Sequence, residues 1–416
     1  MTQAIVNIGQ LVTLAGPSCP RAGAELRELG IIRNASILIE AGCIVAAGSA
    51  AEVAPLIPKD AAIIDAGGCL VTPGFVDAHT HLVFAGNRAA EFELRLQGAT
   101  YQEIAAAGGG IRSTVAQTRA ASEEELLTAA RRYRDWMLRS GTTTIEAKSG
   151  YGLDHETELK MLRVLRRLHQ DGPARIVPTL LAAHTVPAEF AEKRGAYLRW
   201  IAADLIPQVA REKLAEYCDA FCDDHAFTVE ECRMVLEAAR QHGLRLRLHA
   251  EQFRPGTGAA LAAELHCDSA DHLEALEEST IPALKASGVQ PVLLPGSVFA
   301  LGRTQYPPAR KMIEAGLAPV LASDFNPGSS PIAAMPFVIS LACLHMGMTP
   351  AEALAAATIN AACSLRRGDQ VGSIEPGKRA DLLIHEFTDY REIAYYIAAP
   401  CRPRVFVGGQ EVIEPK

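Results

Sequence analysis

The chain has 416 residues, of which 49% are hydrophobic and 21% charged, so it can bury a large core, which excludes a disordered chain. Its net charge of −8 comes without a basic block or a basic–aromatic alternation, which argues against nucleic acid or an anionic membrane surface as the main partner. A small-molecule substrate is the default that remains. The ten cysteines are scattered with no CxxC pair, and Cys218 and Cys222 lack a second pair to complete a zinc cage, so they read as reduced core thiols. No leader pattern opens the chain, and no run approaches the roughly eighteen apolar residues of a membrane span, so the expectation is a cytoplasmic protein.

In chain order, the first seventy residues read as short strands and turns: AIVNIGQLVTL, ASILIEAGCIVAAG and AAIIDAGGCLVTPG. The centre then alternates apolar strands with amphipathic helices. The strands are TPGFVDAHTHL, GTTTIEAKSGYG, ARIVPTLLAAH, YCDAFCDDHAF, LRLRLHAEQ, CDSADHL, QPVLLPG and APVLASDFNPG. Between the first two, Ser122 and Glu125 form a capping box at the start of EEELLTAARRYRDWMLR, and Gly141 ends that helix. After the fourth strand, Thr228 is an N-cap and Gly243 a stop. RADLLIHEF and RPRVFVGGQEVI are strands again, the latter hinged at Gly408-Gly409. This pattern predicts an α/β fold: a (β/α)8 TIM barrel over residues 71–365, with a small β-sandwich domain made from residues 1–70 and 366–416.

Chemistry in such a barrel sits at the carboxyl ends of the strands, and polar residues accumulate there. His79 and His81 in DAHTH alternate along the first strand and project two imidazoles from one face. Tyr151 follows the second strand, His184 ends the third, His249 the fifth, His272 the sixth and Asp324 the eighth. His79, His81, His249 and Asp324 together offer three nitrogens and one carboxylate oxygen, a set suited to zinc or iron that leaves a position for water. Each of these residues alone would equally serve as a satisfied structural hydrogen-bonding group.

PGFVDAHTHL, the later His and Asp, and the β-segments at both ends resemble the amidohydrolase superfamily of metal-dependent hydrolases. HLVFAGNRAAEF, GGGIRSTVAQTRAAS, TTTIEAKSGYGL, LAAHTVP, SADHL and ASDFNPGSSP are similar to the imidazolonepropionase family within it. The resemblance spans nearly the whole chain. It implies hydrolysis of 4-imidazolone-5-propanoate to N-formimidoyl-L-glutamate in histidine degradation, with one divalent zinc or iron ion. The resemblance also implies that Arg88, on the first βα loop, clamps the propanoate, where position alone would make it a solvated surface charge. Tyr151 and His184 would contact the ligand, and Asn326, Gly328 and Ser329 would form a wall beside Asp324. Tyr101 is a further ligand contact or a packing residue.

One position departs from the superfamily pattern. Many mononuclear members carry a proton-shuttling glutamate three residues after the fifth-strand histidine, where this chain has Gln252, so Gln252 is expected to contact substrate. Glu251, two residues from His249 on a strand, would share its face and serve as acid/base, with His272 and Asp324 as competitors. YCDAFCDDHAF has no lysine to bridge two metals, which favours one, and Lys148 reads as a salt bridge below the site. The alternatives are a related deaminase of a heterocyclic substrate and a metal-free scaffold. The resemblance allows a homodimer.

Overall fold

The computed structural model describes residues 2–99, 103, 108–224 and 226–413. Tyr101 lies outside them. The terminal segments form one connected sheet from β1 (Thr2–Val12), β2 (Ile31–Glu40), β3 (Cys43–Ser49), β4 (Ala62–Asp65) and β5 (Leu70–Pro73), joined by late strands of the chain. Those are β14 (Leu382–Ile384), β15 (Arg404–Val407) and β16 (Gln410–Ile413), and the order is β16-β15-β14-β5-β1-β2-β3, with β4 also on β1. Period-two alternation splits β14 and β15 between two cores. Phe406 and Leu382 join Ile5, Ile37 and Ile39 inside the sheet's own core, whereas Val405, Val407 and Leu383 face the barrel. The sheet curls until its remote turns meet: a Cβ on Gly42 would lie 2.9 Å from the Gly408 carbonyl oxygen. This is how one continuous ladder produces a sandwich-like body. The β15–β16 turn is Gly408-Gly409, both with positive φ, as a tight hairpin requires.

The central strands are β6 (Phe75–Asp77), β7 (Thr142–Lys148), β8 (Arg175–Ala183), β9 (Tyr217–Cys222), β10 (Arg245–Ala250), β11 (Ser269–His272), β12 (Gln290–Leu293) and β13 (Val320–Leu321). They pair in parallel, each with its sequence neighbour. A parallel bridge between Thr80 and Phe325 closes the ring, with Asp324 N–H on the His79 carbonyl at 3.0 Å and His81 N–H on the Phe325 carbonyl at 2.8 Å. All eight strands expected from sequence are present. The caps are too: the Ser122–Glu125 and Thr228–Glu231 boxes start helices Glu123–Arg139 and Val229–Gln241, and Gly141 and Gly243 follow their ends with positive φ.

The barrel is stoppered by packing and by charge. Ala361, Ala362 and Leu365, from the segment of helix Ile359–Ser364, join Val76, Val177, Tyr217 and Val292 in an apolar plug. A fully buried charged layer, Glu146, Lys148, Asp219, Arg247 and Asp271, comes from the inner faces of β7, β9, β10 and β11. All ten cysteines are free. Among the described residues no helix is long and apolar enough to cross a membrane.

Candidate active site

Four imidazoles and a carboxylate converge at the carboxyl ends of the barrel strands. His79, His81 and Asp324 can bring one ligand atom each within 4.8 Å of one another, and so can His79, His249 and His272. Nε2 of His79 and of His81 lie 3.6 and 3.4 Å from Asp324 Oδ1. The backbone is bent to achieve this. His272, Leu273 and Asp324 have φ of 83°, 67° and 53°, left-handed values that non-glycine residues rarely adopt and that cluster at functional sites.

Two carboxylates beneath the imidazoles fix their orientation. His79 Nδ1 lies 2.6 Å from Asp271 Oδ2, which leaves Nε2 as that ring's free nitrogen, and Asp219 accepts the His249 backbone N–H at 3.2 Å with its other oxygen 3.0 Å from His249 Nδ1. Lys148 Nζ is 2.9 Å from both Glu146 Oε1 and Asp219 Oδ2, and Arg247 reaches Asp271 at 3.5 Å. Burial alone would discharge Lys148, but Asp219 and Glu146 outweigh it and raise its pKa. The lysine is therefore the salt bridge below the site that the sequence suggests. Burial also pulls His81 down to about 3 and His249 to about 4, against Asp219 in both cases, and holds His79 well below its usual range. At neutral pH these rings are uncharged, with lone pairs available. His272 differs: burial lowers it, but Glu274, at 3.2 Å from Nδ1, together with Asp324 and Asp271 raises it overall.

The donor set fits a divalent ion on its own terms. His79 Nε2 and His81 Nδ1 are buried without a hydrogen-bond partner, and neutral imidazole with carboxylate oxygen is the chemistry such ions take.

Arg88 stands beside this cluster. Its Nε donates to Thr114 Oγ1 at 2.9 Å, within the GGGIRSTV segment, and its terminal nitrogens have no partner among the described residues. Its charge is felt at Tyr151 and His184. Gly328, across the barrel seam, makes room for it: a Cβ there would lie 2.3 Å from Arg88 Nη1. His184 stacks on His81 with centroids 5.3 Å apart, and Tyr151 lies 5.8 Å from His81.

A scan of family descriptions matches residues 70–412 to "Amidohydrolase family". An imidazolonepropionase from Solibacter usitatus is 54% identical over 98% of this chain and 97% of its own length. One from Geobacillus thermodenitrificans is 48% identical over 97% and 96%. The chain belongs to the amidohydrolase family, among the imidazolonepropionases. The fold recurs in solved structures: an Escherichia coli guanine deaminase (TM-score 0.72, 16% identity, all of both chains) and a zinc-bound Xanthomonas campestris adenosine deaminase (TM-score 0.69, 19% identity, 98% and 92% covered).

Not every expected residue of this amidohydrolase faces the site. Glu251 is the correction. Its φ of 48° ends the strand alternation after Ala250, and its carboxylate turns to cap helix Gly258–Glu264, accepting Ala259 N–H at 3.0 and 3.2 Å. The face shared with His249 existed only for an extended chain. Gln252 is buried, its carbonyl accepts from Arg303, and its side-chain amide has no hydrogen-bond partner among the described residues. Asn326 is the knot of its own loop: Oδ1 accepts from Gly328 and Ser329 N–H, and Nδ2 donates to the Asp324 carbonyl and Ser329 Oγ. Ser329 in turn donates to Asp324 Oδ2 at 3.4 Å. Sequence reasoning missed Asp219, Asp271, Arg247 and Glu274. The available signal was a charged residue inside an apolar strand, two residues from another functional group, as in Arg247 and His249.

Proposed function

We propose that the protein opens the ring of 4-imidazolone-5-propanoate by hydrolysis, giving N-formimidoyl-L-glutamate, as a cytoplasmic enzyme with one zinc or iron ion held by His79, His81, His249 and Asp324. The observation that carries this reading is the half-buried Arg88, its terminal nitrogens unpaired, next to that buried His/Asp cluster. An anionic tail leaving water needs a fixed cation, and a guanidinium binds a carboxylate in two parallel hydrogen bonds. Membership among the imidazolonepropionases supports the same substrate.

A divalent ion bound there supplies Lewis acidity and brings the pKa of water near 7, making a nucleophile available at neutral pH. The chain's own residues do the rest. Arg88 binds the propanoate and so sets the ring's position. Tyr151, its ring tilted beside those of His81 and His184, walls the ring, and the free amide of Gln252 is available to its polar edge. Water adds one oxygen to the ring carbonyl carbon, the bond from that carbon to nitrogen breaks, and the nitrogen takes a proton. His272 moves that proton in this reading, which the Glu274 carboxylate 3.2 Å from its Nδ1 supports by leaving Nε2 for the substrate. Glu251 is occupied as a helix cap.

The test is to follow ultraviolet loss of imidazolonepropanoate and identify the product. N-formimidoyl-L-glutamate without ammonia is expected. Turnover of a heterocyclic amine with ammonia release, undiminished in Arg88→Met, would instead assign a deaminase.

A further inference from the structure

The segment SGYGL, residues 149–153, carries Tyr151 and is gathered onto one buried carboxyl group that the mechanism leaves unused. Glu158, on helix His155–Asp171, is fully buried and has no Lys or Arg within ion-pair distance among the described residues. Backbone amides satisfy it. Gly150 N–H donates to both oxygens at 3.2 Å, Gly152 N–H to Oε1 at 2.9 Å and Leu153 N–H to Oε1 at 2.8 Å. Ser149 Oγ accepts Leu181 N–H at 3.0 Å, which ties the segment to β8. The turn so formed is one the backbone does not favour by itself: Gly150 has φ of 103° and Leu153 of 56°. Its product is a carbonyl aimed at the site. The Gly150 oxygen lies 2.9 Å from His184 Nδ1, and a Cβ on Gly150 would come within 3.0 Å of that nitrogen and 2.8 Å of the Leu181 carbonyl oxygen.

We propose that Glu158 is a positioning residue for the substrate wall: by collecting the amides of Gly150, Gly152 and Leu153 it fixes the Gly150 carbonyl on His184 Nδ1 and Tyr151 beside His81. His184 is thereby held as the Nδ1–H tautomer, with Nε2 offered as an acceptor to the ligand. This rests on the reading of Tyr151 and His184 as substrate contacts. A merely structural carboxyl group would support the fold equally well without selecting a tautomer, so the two roles separate by experiment.

Glu158→Gln keeps the size of the side chain but turns an amide NH2 toward backbone N–H donors. With metal content and melting temperature checked, the variant is expected to raise KM at least about tenfold while kcat stays within about threefold. In ¹⁵N-histidine-labelled protein, with His184 assigned by a His184→Gln difference spectrum, the wild type should show the Nδ1–H tautomer and the variant a mixture. If Glu158→Gln does not fold, Ser149→Ala removes one support and should shift both readouts in the same direction. An unchanged tautomer with KM within twofold of wild type overturns the proposal, as does parallel loss of kcat and bound metal. If wild-type protein fails to turn over imidazolonepropanoate, the functional reading fails, while the tautomer comparison still decides whether Glu158 sets His184.

Discussion

Replacing Asp271 with asparagine separates the orientation of a metal ligand from the fold that carries it. Asp271 Oδ2 is 2.6 Å from His79 Nδ1, and Arg247 and Lys148 lie 3.5 and 3.8 Å from the same oxygen. In the buried layer three carboxylates, Glu146, Asp219 and Asp271, face two cations, Lys148 and Arg247; the substitution leaves two facing two. The variant should therefore fold without an unpaired buried cation. What it loses is the charge-assisted bond that fixes His79 with Nε2 free, since the asparagine amide can also present its NH2 group to the ring. Loss of such an outer partner typically costs 10- to 100-fold in metal affinity, or about 1.4–2.7 kcal/mol. Competition against a chelator of known affinity, at fixed pH, reads this directly. A variant that holds the ion within about twofold of wild type would refute the assigned role of Asp271.

Three further outcomes follow from the geometry. Arg88→Met should lower kcat/KM by about ten- to more than a hundredfold, corresponding to about 1.5–3 kcal/mol for one charge-assisted contact, and steady-state kinetics showing no change would remove Arg88 from the substrate. Glu251→Gln should cost about 1 kcal/mol of stability through the weakened cap and leave kcat within about threefold, whereas His272→Asn should reduce kcat by about 10²- to 10⁴-fold with metal retained; the reverse pattern would return the proton shuttle to Glu251. Burial pushes Glu352 up, but Arg310, the Thr349 N–H and Arg27 outweigh it and lower its pKa from 4.5 to about 2. Its stabilisation, about 2 kcal/mol, is therefore complete above pH 4.5 and is lost as pH falls toward 2, so Glu352→Gln should flatten that part of the acid-denaturation curve, and coincident acid limbs would contradict this.

The parts of this molecule legible in the sequence are those set by local pattern. Each barrel strand is an apolar run bounded by turn residues, and the Ser122 and Thr228 caps are four-residue signals, so both survive without knowledge of the fold. His79 and His81 lie just past the end of β6 at Asp77, not on it, and their alternation still brings the two rings together because the bridge at Thr80 carries the pairing on, with centroids 5.4 Å apart. Glu251 shows where pattern fails: two residues from His249 means a shared face only while the backbone stays extended, and a φ of 48° breaks that condition. Asp271 and Asp219 were hidden because their partners, His79 and His249, lie 192 and 30 residues away, joined only when the strands pair. The same holds for Arg88, whose seat is made by Thr114 and by the missing side chain of Gly328.

The central claim is that His79, His81, His249 and Asp324 hold one ion on which turnover of imidazolonepropanoate depends. The most direct test measures metal content and ultraviolet loss of imidazolonepropanoate on the same preparations of wild type and His249→Ala. About one zinc or iron per wild-type chain is expected, with activity lost on chelation and restored by adding the ion back, and neither metal nor activity in the variant. Full metal occupancy in His249→Ala, or undiminished turnover by metal-free wild type, would contradict it.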